Sequence, residues 1–289
     1  MSDTLVRPSA LAGRWYPADP SELRASVSGM IRPSRSVVVP DGRPVVIVVP
    51  HAGHSWSGAV AGQAYDSLRG FDYERVVLLA PNHRFQLAAV SSPTDDAYAT
   101  PLGQVALDIA GREFLQAKGG VFPISAAHAD EHAEEIQLPF LQVLWNDPPP
   151  VLPLLVPRLT VEQRRQLAAA LGRWCDGRTL FIVSTDFTHY GNDFGYLPFT
   201  DDIAAQLAQL DGGALDCLTS WDAEKLIDYG DTTGITMCGL EATALAMSVP
   251  WPEKPTITQL AYERSGDRDG DFSLSVSYAA LVGVLEKNG

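Results

Sequence analysis

The sequence predicts an α/β protein with a layered, mostly parallel central sheet flanked by helices. Short runs rich in β-branched and aliphatic residues recur along the 289-residue chain, and several are almost continuously apolar. Strands that are buried on both faces of a parallel sheet have this character. The predicted strands occupy residues 45–49, 76–80, 151–156, 180–184 and 273–285.

Segments with helical periodicity lie between these runs. Residues 21–31 follow Pro20, residues 59–68 combine small and apolar side chains at helical spacing, and residues 161–175 place Leu167, Leu171 and Trp174 on one face. Alternation of strands and helices along a chain is typical of a layered α/β fold.

The chain is expected to form a single domain over residues 1–289. Its hydrophobic fraction of 46% is ample for a large buried core. There is no repeat, charge block or low-complexity linker, and the Pro-rich residues 147–150 are too short to mark a domain boundary, so we interpret them as a loop.

Charge and composition exclude several classes of partner. The chain has 35 Asp and Glu against 21 Lys and Arg, a formal charge of −14, which repels nucleic acid and anionic lipid. No apolar run approaches the roughly 20 residues that cross a bilayer, and no signal segment is recognisable, so we expect a cytoplasmic protein.

Three cysteines without a C-x-x-C pair indicate neither a disulfide framework nor a zinc knuckle. Assembly into a homo-oligomer is left open.

Three predicted strands end in the same manner, with a turn followed by a side chain that binds metals or moves protons. Residues 45–49 lead to His51, residues 76–80 lead to His83, and residues 180–184 lead to Asp186 and His189. Ligands of open α/β sheets bind where the carboxyl ends of the strands converge. A single histidine after a strand is usually an ordinary loop residue, but the repetition favours a shared site.

Cys238 precedes a helix-like segment, residues 240–248, and we expect the helix N-terminus to favour its thiolate. Two imidazoles and one anionic ligand leave coordination positions open, as in non-haem iron enzymes. The competing interpretation is that Cys238 is a small buried hydrophobic residue.

Two further pairs have open interpretations. His132 and Glu135 are spaced to share a helical face. The pair either lines the pocket or forms a polar helix start. In a third, intermediate interpretation, the carboxylate holds a histidine in one tautomer. Asp186 and His189 either form a general base, with the carboxylate orienting the imidazole, or Asp186 caps the turn after the strand.

The motifs together resemble the Memo family, also called the B component of the AmmeMemoRadiSam system. The resemblance covers almost the whole chain, and the order of the motifs is specific although each one is weak. They are Ala12-Gly-Arg-Trp-Tyr-Pro, Pro50-His-Ala-Gly-His-Ser-Trp-Ser-Gly, Pro81-Asn-His, Glu131-His, Gln137-Leu-Pro-Phe-Leu, Ser184-Thr-Asp-Phe-Thr-His-Tyr, Met237-Cys-Gly, Ser265-Gly-Asp and Tyr278-Ala-Ala.

The resemblance implies a fold similar to that of the class III extradiol dioxygenases, which hold non-haem Fe(II). It implies the metal ligands His51, His83 and Cys238, with Asp186 and His189 beside the metal and His132 nearby. The dioxygenases have a carboxylate where Cys238 stands, and a softer thiolate suits copper as well as iron. His54 replaces an aromatic residue that is common in the family, and it either adds an ionisable group at the pocket mouth or substitutes one half-exposed ring for another.

Three functions compete. The first is an Fe(II)-dependent oxygenase that acts on a small molecule and O₂, with His189 as proton acceptor or donor. The second is an iron- or copper-binding redox or partner protein without turnover. The third is a serine hydrolase in which Ser55 would act with Asp186 and His189, although Ser55 in a helix-initiating turn is explained by capping alone.

Overall fold

The computed structural model describes residues 4–34 and 37–286. The strands are β1 Val6–Arg7, β2 Arg43–Val49, β3 Arg75–Ala80, β4 Val90–Ser92, β5 Ala97–Thr100, β6 Gly103–Ala106, β7 Val121–Pro123, β8 Val151–Leu155, β9 Thr179–Ser184, β10 His189–Gly191, β11 Thr256–Arg264 and β12 Leu274–Leu285. The helices are α1 Pro20–Met30, α2 His54–Asp66, α3 Ile109–Lys118, α4 Ser125–His128, α5 His132–Glu135, α6 Leu138–Leu144, α7 Val161–Leu171, α8 Ile203–Thr219, α9 Ala223–Thr233, α10 Leu240–Ser248 and α11 Gly266–Asp269.

The main sheet has a parallel centre, which is joined on each side to the outer strands by an antiparallel pairing. Its strand order is β10-β12-β2-β9-β3-β8-β4-β7, with β11 paired to β12. The neighbours β2, β9, β3 and β8 run parallel, whereas β12 is antiparallel to β2 and β4 is antiparallel to β8. The prediction of a layered α/β fold is confirmed. A separate small sheet joins β1, β5 and β6.

Two apolar layers cover the two faces of the sheet. Along β2, Val46 and Val48 belong to the layer packed under α7 and α10, while Ile47 and Val49 belong to the layer packed under α1 and α2. Successive side chains of a strand point to opposite faces, so a strand that is apolar throughout fits only between two such layers. This explains why the interiors of the central strands are apolar, with polar residues such as Thr179 and Ser184 only at the strand ends.

Two helix boundaries differ by several residues from the sequence-based expectation. Helix α2 begins at His54 rather than residue 59, because the N-terminal segment supports its first turn: the His54 backbone N–H donates to the carbonyl oxygen of Trp15 at 2.9 Å. Helix α7 ends at Leu171 and tightens into a 3₁₀ turn, Gly172–Trp174. Among the described residues, no helix is both long enough and apolar enough to span a bilayer.

Candidate metal centre

The carboxyl ends of three adjacent parallel strands form the base of the site. Strand β9 lies between β2 and β3, so the loops after these strands leave the sheet side by side. They carry His51 after β2, Asp186 after β9 and His83 after β3. The predicted convergence of these loops is therefore observed.

Cys238 joins the two imidazoles from a distant part of the chain. Its Sγ atom lies 3.1 Å from Nε2 of His51. One donor atom each from His51, His83 and Cys238 lie within 4.8 Å of one another. A second group, His83, Glu131 and His132, satisfies the same distance and shares His83 with the first.

The His51 ring is oriented by the end of β9. Its Nδ1 lies 3.0 Å from Oγ of Ser184. The Ser184 hydroxyl donates to the carbonyl oxygen of Ala133 at 2.6 Å and accepts from Nε2 of Gln137 at 2.9 Å. Because the only hydroxyl proton is committed to a carbonyl, Nδ1 of His51 is the donor to Ser184. Nε2 of His51 then carries a lone pair, which accepts from the Cys238 thiol in the protein without metal and can coordinate a metal once the thiol is deprotonated.

The His83 ring is oriented by Glu131. Its Nδ1 donates to Oε1 of Glu131 at 2.9 Å, and its backbone N–H donates to Oε2 at 2.7 Å. Burial opposes ionisation of Glu131, but the hydrogen bond and charge of His83, with a further contribution from His132, lower the pKa of the carboxyl to about 2. A carboxylate that holds a metal-binding imidazole by its other nitrogen is a common arrangement.

The imidazole of His51 is held neutral. Burial, and then the charges of His83, His132 and His189, lower the pKa of His51 well below its usual value. Burial and His83 also lower the pKa of His132 to about 4. A neutral imidazole is the form that binds metals.

The expectation of a thiolate favoured by a helix N-terminus is wrong for the protein without a metal ion. Helix α10 begins at Leu240 with Gly239 as its N-cap, so Cys238 lies before the helix. Burial, and after it the charge of the Asp186 carboxylate, raises the pKa of the Cys238 thiol. The backbone N–H of Asp186, whose nitrogen lies 3.3 Å from Sγ, opposes this rise. A bound cation reverses this preference, since metal coordination deprotonates a thiol.

Asp186 and His189 are near enough to interact electrostatically, but the carboxylate does not orient this imidazole. Oδ1 of Asp186 accepts the backbone N–H of His51 at 2.8 Å, and Oδ2 lies 3.9 Å from Nε2 of His51. Nδ1 of His189 is held by the carbonyl oxygens of Phe187 and Thr236 at 3.0 and 3.1 Å. Carbonyls only accept, so Nδ1 of His189 carries a proton, and in the neutral imidazole Nε2 is the acceptor.

His132 and Glu135 separate, although both belong to α5. The His132 ring centroid lies 4.4 Å from that of His83 and 5.3 Å from that of His51. Glu135 instead forms a 2.6 Å ion pair with Arg7 and accepts a hydrogen bond from Tyr16. The interpretation of Glu135 as a pocket residue is wrong, because the buried guanidinium of Arg7 and the N-terminal segment hold its carboxylate away from the site.

His54 is not at the mouth of this site. It is buried against Tyr16 and Phe140, with ring centroids 5.4 and 4.9 Å away, and its Nε2 donates to the carbonyl oxygen of Ile136 at 3.0 Å. Burial lowers the pKa of His54 to about 4 despite the hydrogen bond, so the ring is neutral. Its place is in the packing between α2 and α6.

The serine hydrolase arrangement is absent from the described part of the chain. Ser55 is exposed in the first turn of α2, and no histidine or carboxylate hydrogen-bonds to its hydroxyl. The imidazole of His189 is committed to backbone carbonyls and Asp186 to the His51 loop. The triad hypothesis is therefore wrong.

Sequence reasoning missed the groups that orient the imidazoles: Ser184, Gln137 and Glu131. Ser184 is the one polar residue of a strand that is otherwise apolar after its first position, and Glu131 directly precedes His132. A hydroxyl at the carboxyl end of a buried strand and a buried acid beside a candidate ligand were the available signals.

An α/β fold in which two parallel strands lead to His51 and His83, with Cys238 beside them, defines a class of protein with side chains able to hold a metal ion. A family model described as Memo-like protein matches residues 7–282, and the chain belongs to this family. It is 34% identical to a MEMO1 family protein of Methanopyrus kandleri, over 96% of this chain and 99% of the relative. It is 33% identical to a MEMO1 family protein of Ignicoccus hospitalis, over 96% of this chain and 98% of the relative. A MEMO1 family protein of Aquifex aeolicus is 30% identical over 96% of this chain and 98% of its own length.

Proposed function

We propose that this protein binds a transition metal through Nε2 of His51, Nε2 of His83 and Sγ of Cys238, with Fe(II) preferred over copper. We further propose that it is an oxygenase acting on a small molecule. The observation that carries the proposal is the convergence of these three donors within 4.8 Å, from segments far apart in the chain.

The donor set fits such an ion. Both imidazoles are anchored through Nδ1, by Ser184 and Glu131, which leaves both Nε2 lone pairs for the metal. Two imidazoles and a thiolate suit iron and copper better than magnesium or calcium, which prefer oxygen ligands. When bound, Fe(II) supplies a centre at which O₂ and substrate meet, and insertion of both oxygen atoms into the substrate requires no external reductant.

The surrounding residues supply proton handling and access. Nε2 of His189 is the available acceptor, because its Nδ1 proton is held by two backbone carbonyls. Asp186 is buried and fixes the loop that carries His51. The His83 side chain is 26% exposed and lines an open cleft of about 640 Å³, which provides a path for small molecules.

A non-catalytic metal-binding protein is the second candidate, and Cys238 is the observation that favours it. A half-buried thiolate beside two imidazoles suits Cu(I) as well as iron, and either metal serves this role. In that case the metal serves electron transfer or recognition of a partner, and no substrate is consumed.

The test begins with elemental analysis of protein purified without chelator or affinity-tag metal. We expect one equivalent of iron or copper in the wild type and loss of the metal in His83→Ala and Cys238→Ala. Cys217→Ala is the matched control, because Cys217 is a buried cysteine of α8 outside the cluster. Retention of metal by both site variants contradicts the proposed ligands.

Oxygen uptake then separates the two candidates. Protein reconstituted with Fe(II) without air is mixed with oxygenated buffer and a panel of small molecules. Substrate-dependent uptake that is lost in His189→Gln supports the oxygenase. Stoichiometric metal without uptake on any compound favours the metal-binding protein instead.

A further inference from the structure

A positively charged cleft lies beside the candidate metal centre, on the side of His132. It has a volume of about 290 Å³, at the low end of the range for ligand pockets. We call it the arginine cleft. Its lining includes Arg14, Trp15, Arg84, Asp130 and His132.

The charge of the arginine cleft is opposite to that of the protein as a whole. The chain carries a formal charge of −14, yet two arginines and one aspartate line this cleft. Among the described residues, no hydrogen-bond or ion-pair partner is found for the guanidinium of Arg14 or Arg84. Cations without a partner in a concave site are suited to an anionic ligand.

The cleft leads to the metal centre through neighbouring aromatic rings. The Trp15 ring centroid lies 4.5 Å from that of His132, and the His132 ring lies 4.4 Å from the candidate ligand His83. Trp15 is fixed by its backbone, since its carbonyl oxygen accepts the His54 N–H at 2.9 Å. A ligand in the cleft is therefore separated from the cluster by a single imidazole.

We propose that the substrate is a small carboxylic acid, whose carboxylate is held by Arg14 and Arg84 and whose body lies along Trp15 and His132 toward the metal. This inference rests on the proposed function. Carboxylate is favoured over phosphate because the lining charges sum to about +1, which a monoanion neutralises and a dianion exceeds. The small volume of the cleft favours a single ring or a short chain.

Fluorine NMR titration tests the anion site without any turnover. The probes are 4-fluorobenzoate, the neutral 4-fluorobenzamide and 4-fluorophenyl phosphate, each added to the full-length protein without metal. We expect the benzoate to bind about 10-fold more tightly than the amide and the phosphate ester. Arg14→Gln and Arg84→Gln each reduce benzoate affinity about 10-fold. Arg24→Gln, an exposed arginine of α1 outside the cleft, leaves it unchanged.

Equal binding of benzoate and benzamide, or unchanged affinity in both cleft variants, overturns the proposal. Tighter binding of the phosphate ester overturns the choice of carboxylate. Both arginines are exposed, so their substitution preserves the fold.

A second measurement connects the cleft to the metal centre. Co(II)-loaded protein is expected to broaden the fluorine line of bound 4-fluorobenzoate, whereas Zn(II)-loaded protein does not. Benzoate binding without broadening by bound Co(II) shows a ligand remote from the cluster and refutes the substrate assignment. Failure of Co(II) to bind, with benzoate selectivity intact, contradicts the proposed metal site but not the anion site.

Discussion

Glu131 makes the strongest individual contribution to the geometry of His83. It accepts both the ring Nδ1–H and the backbone N–H of His83 and also caps α5 through the Ala133 N–H. Its ionised state is maintained by these contacts, because the pKa is lowered to about 2. One carboxylate thus fixes the tautomer, the ring plane and the loop of a candidate ligand.

Removing this charge is expected to weaken metal binding. Glu131→Gln keeps the shape of the side chain but lowers the basicity of the His83 imidazole, and loss of such a partner typically costs about 10–100-fold in affinity. Chelator-competition titration with Zn(II) measures the change. Glu113→Gln, an exposed acid of α3, is the control and keeps the wild-type affinity. Wild-type affinity in Glu131→Gln contradicts this role.

The Arg7–Glu135 pair dominates a second, structural cluster. Both side chains are buried, and Glu135 also accepts from Ser9, Tyr16 and the N–H groups of Ala10 and Leu11. Removing one partner of a buried pair costs about 3–5 kcal/mol, because the other charge is left uncompensated. We expect Arg7→Met to lower the free energy of unfolding by this amount, measured by urea denaturation.

An exposed pair provides the comparison. Arg178 lies 2.9 Å from Glu74, with both side chains largely in solvent. Arg178→Met is expected to cost less than about 1 kcal/mol. If the two variants lose the same free energy of unfolding, burial does not explain the contribution of the Arg7–Glu135 pair to stability.

The same pair predicts a dependence of stability on pH. Burial opposes ionisation of Glu135, but the charge of Arg7 and the hydrogen bond from Tyr16 keep its pKa below the usual value. This stabilisation is complete above the unfolded-state pKa of about 4.3 and is lost as the pH falls through the lower folded-state value. We expect the urea midpoint to fall less steeply below that pH in Glu135→Gln than in the wild type. Parallel profiles contradict the assignment.

At the scale of elements, the contact between β9 and α10 positions Cys238. Gly239 packs directly on the end of β9: a Cβ at this position would lie 2.5 Å from Cβ of Thr185 and 2.9 Å from the Ser184 carbonyl oxygen. The absent side chain allows the segment before α10 to approach the loops that carry the histidines. Close approach, rather than an unusual backbone angle, requires glycine here.

Gly239→Ala is therefore expected to push Cys238 away from His51. We predict a loss of about 1–3 kcal/mol in stability from overpacking, together with weaker Co(II) binding and a weaker thiolate-to-metal absorption band. Gly212→Ala is the matched control, since a Cβ there meets nothing within 4 Å inside α8. It is expected to gain up to about 1 kcal/mol from helix propensity. Normal Co(II) spectra in Gly239→Ala refute the packing argument.

At the scale of the whole molecule, a bound ion would link three remote parts of the chain, the loops at His51 and His83 and the segment at Cys238. A ligand that binds only the folded state stabilises it by about 2.7 kcal/mol at 100 times its Kd. We expect Zn(II) at that level to raise the Tm by roughly 5 °C. His83→Ala should abolish the rise; an equal rise in this variant would place the ion elsewhere.

Periodicity predicted the main sheet because its central strands are apolar on both faces, as Val46, Ile47, Val48 and Val49 show. The loops after β2, β3 and β9 could be assigned to one edge because parallel strands share their carboxyl ends. Rules based on short sequence spacing failed where long-range packing determines the position of a side chain. Spacing placed Glu135 beside His132, but Arg7, more than a hundred residues earlier, draws it away.

The remaining errors have the same origin. The pKa of Cys238 depends on burial and on Asp186, neither of which a helix-start rule includes. The sequence predicts His54 at the pocket mouth, but Tyr16 and Phe140 enclose it. Sequence patterns locate a side chain along an element, whereas the tertiary fold sets its electrostatic surroundings.

The wide spacing of the three donors also constrains biosynthesis. His51 and His83 leave the ribosome early, but their sulfur partner is Cys238, in the last fifth of the 289-residue chain. A nascent polypeptide therefore has no complete set of three donors until Cys238 has been synthesised. Any ion held by all three groups is acquired only after that point.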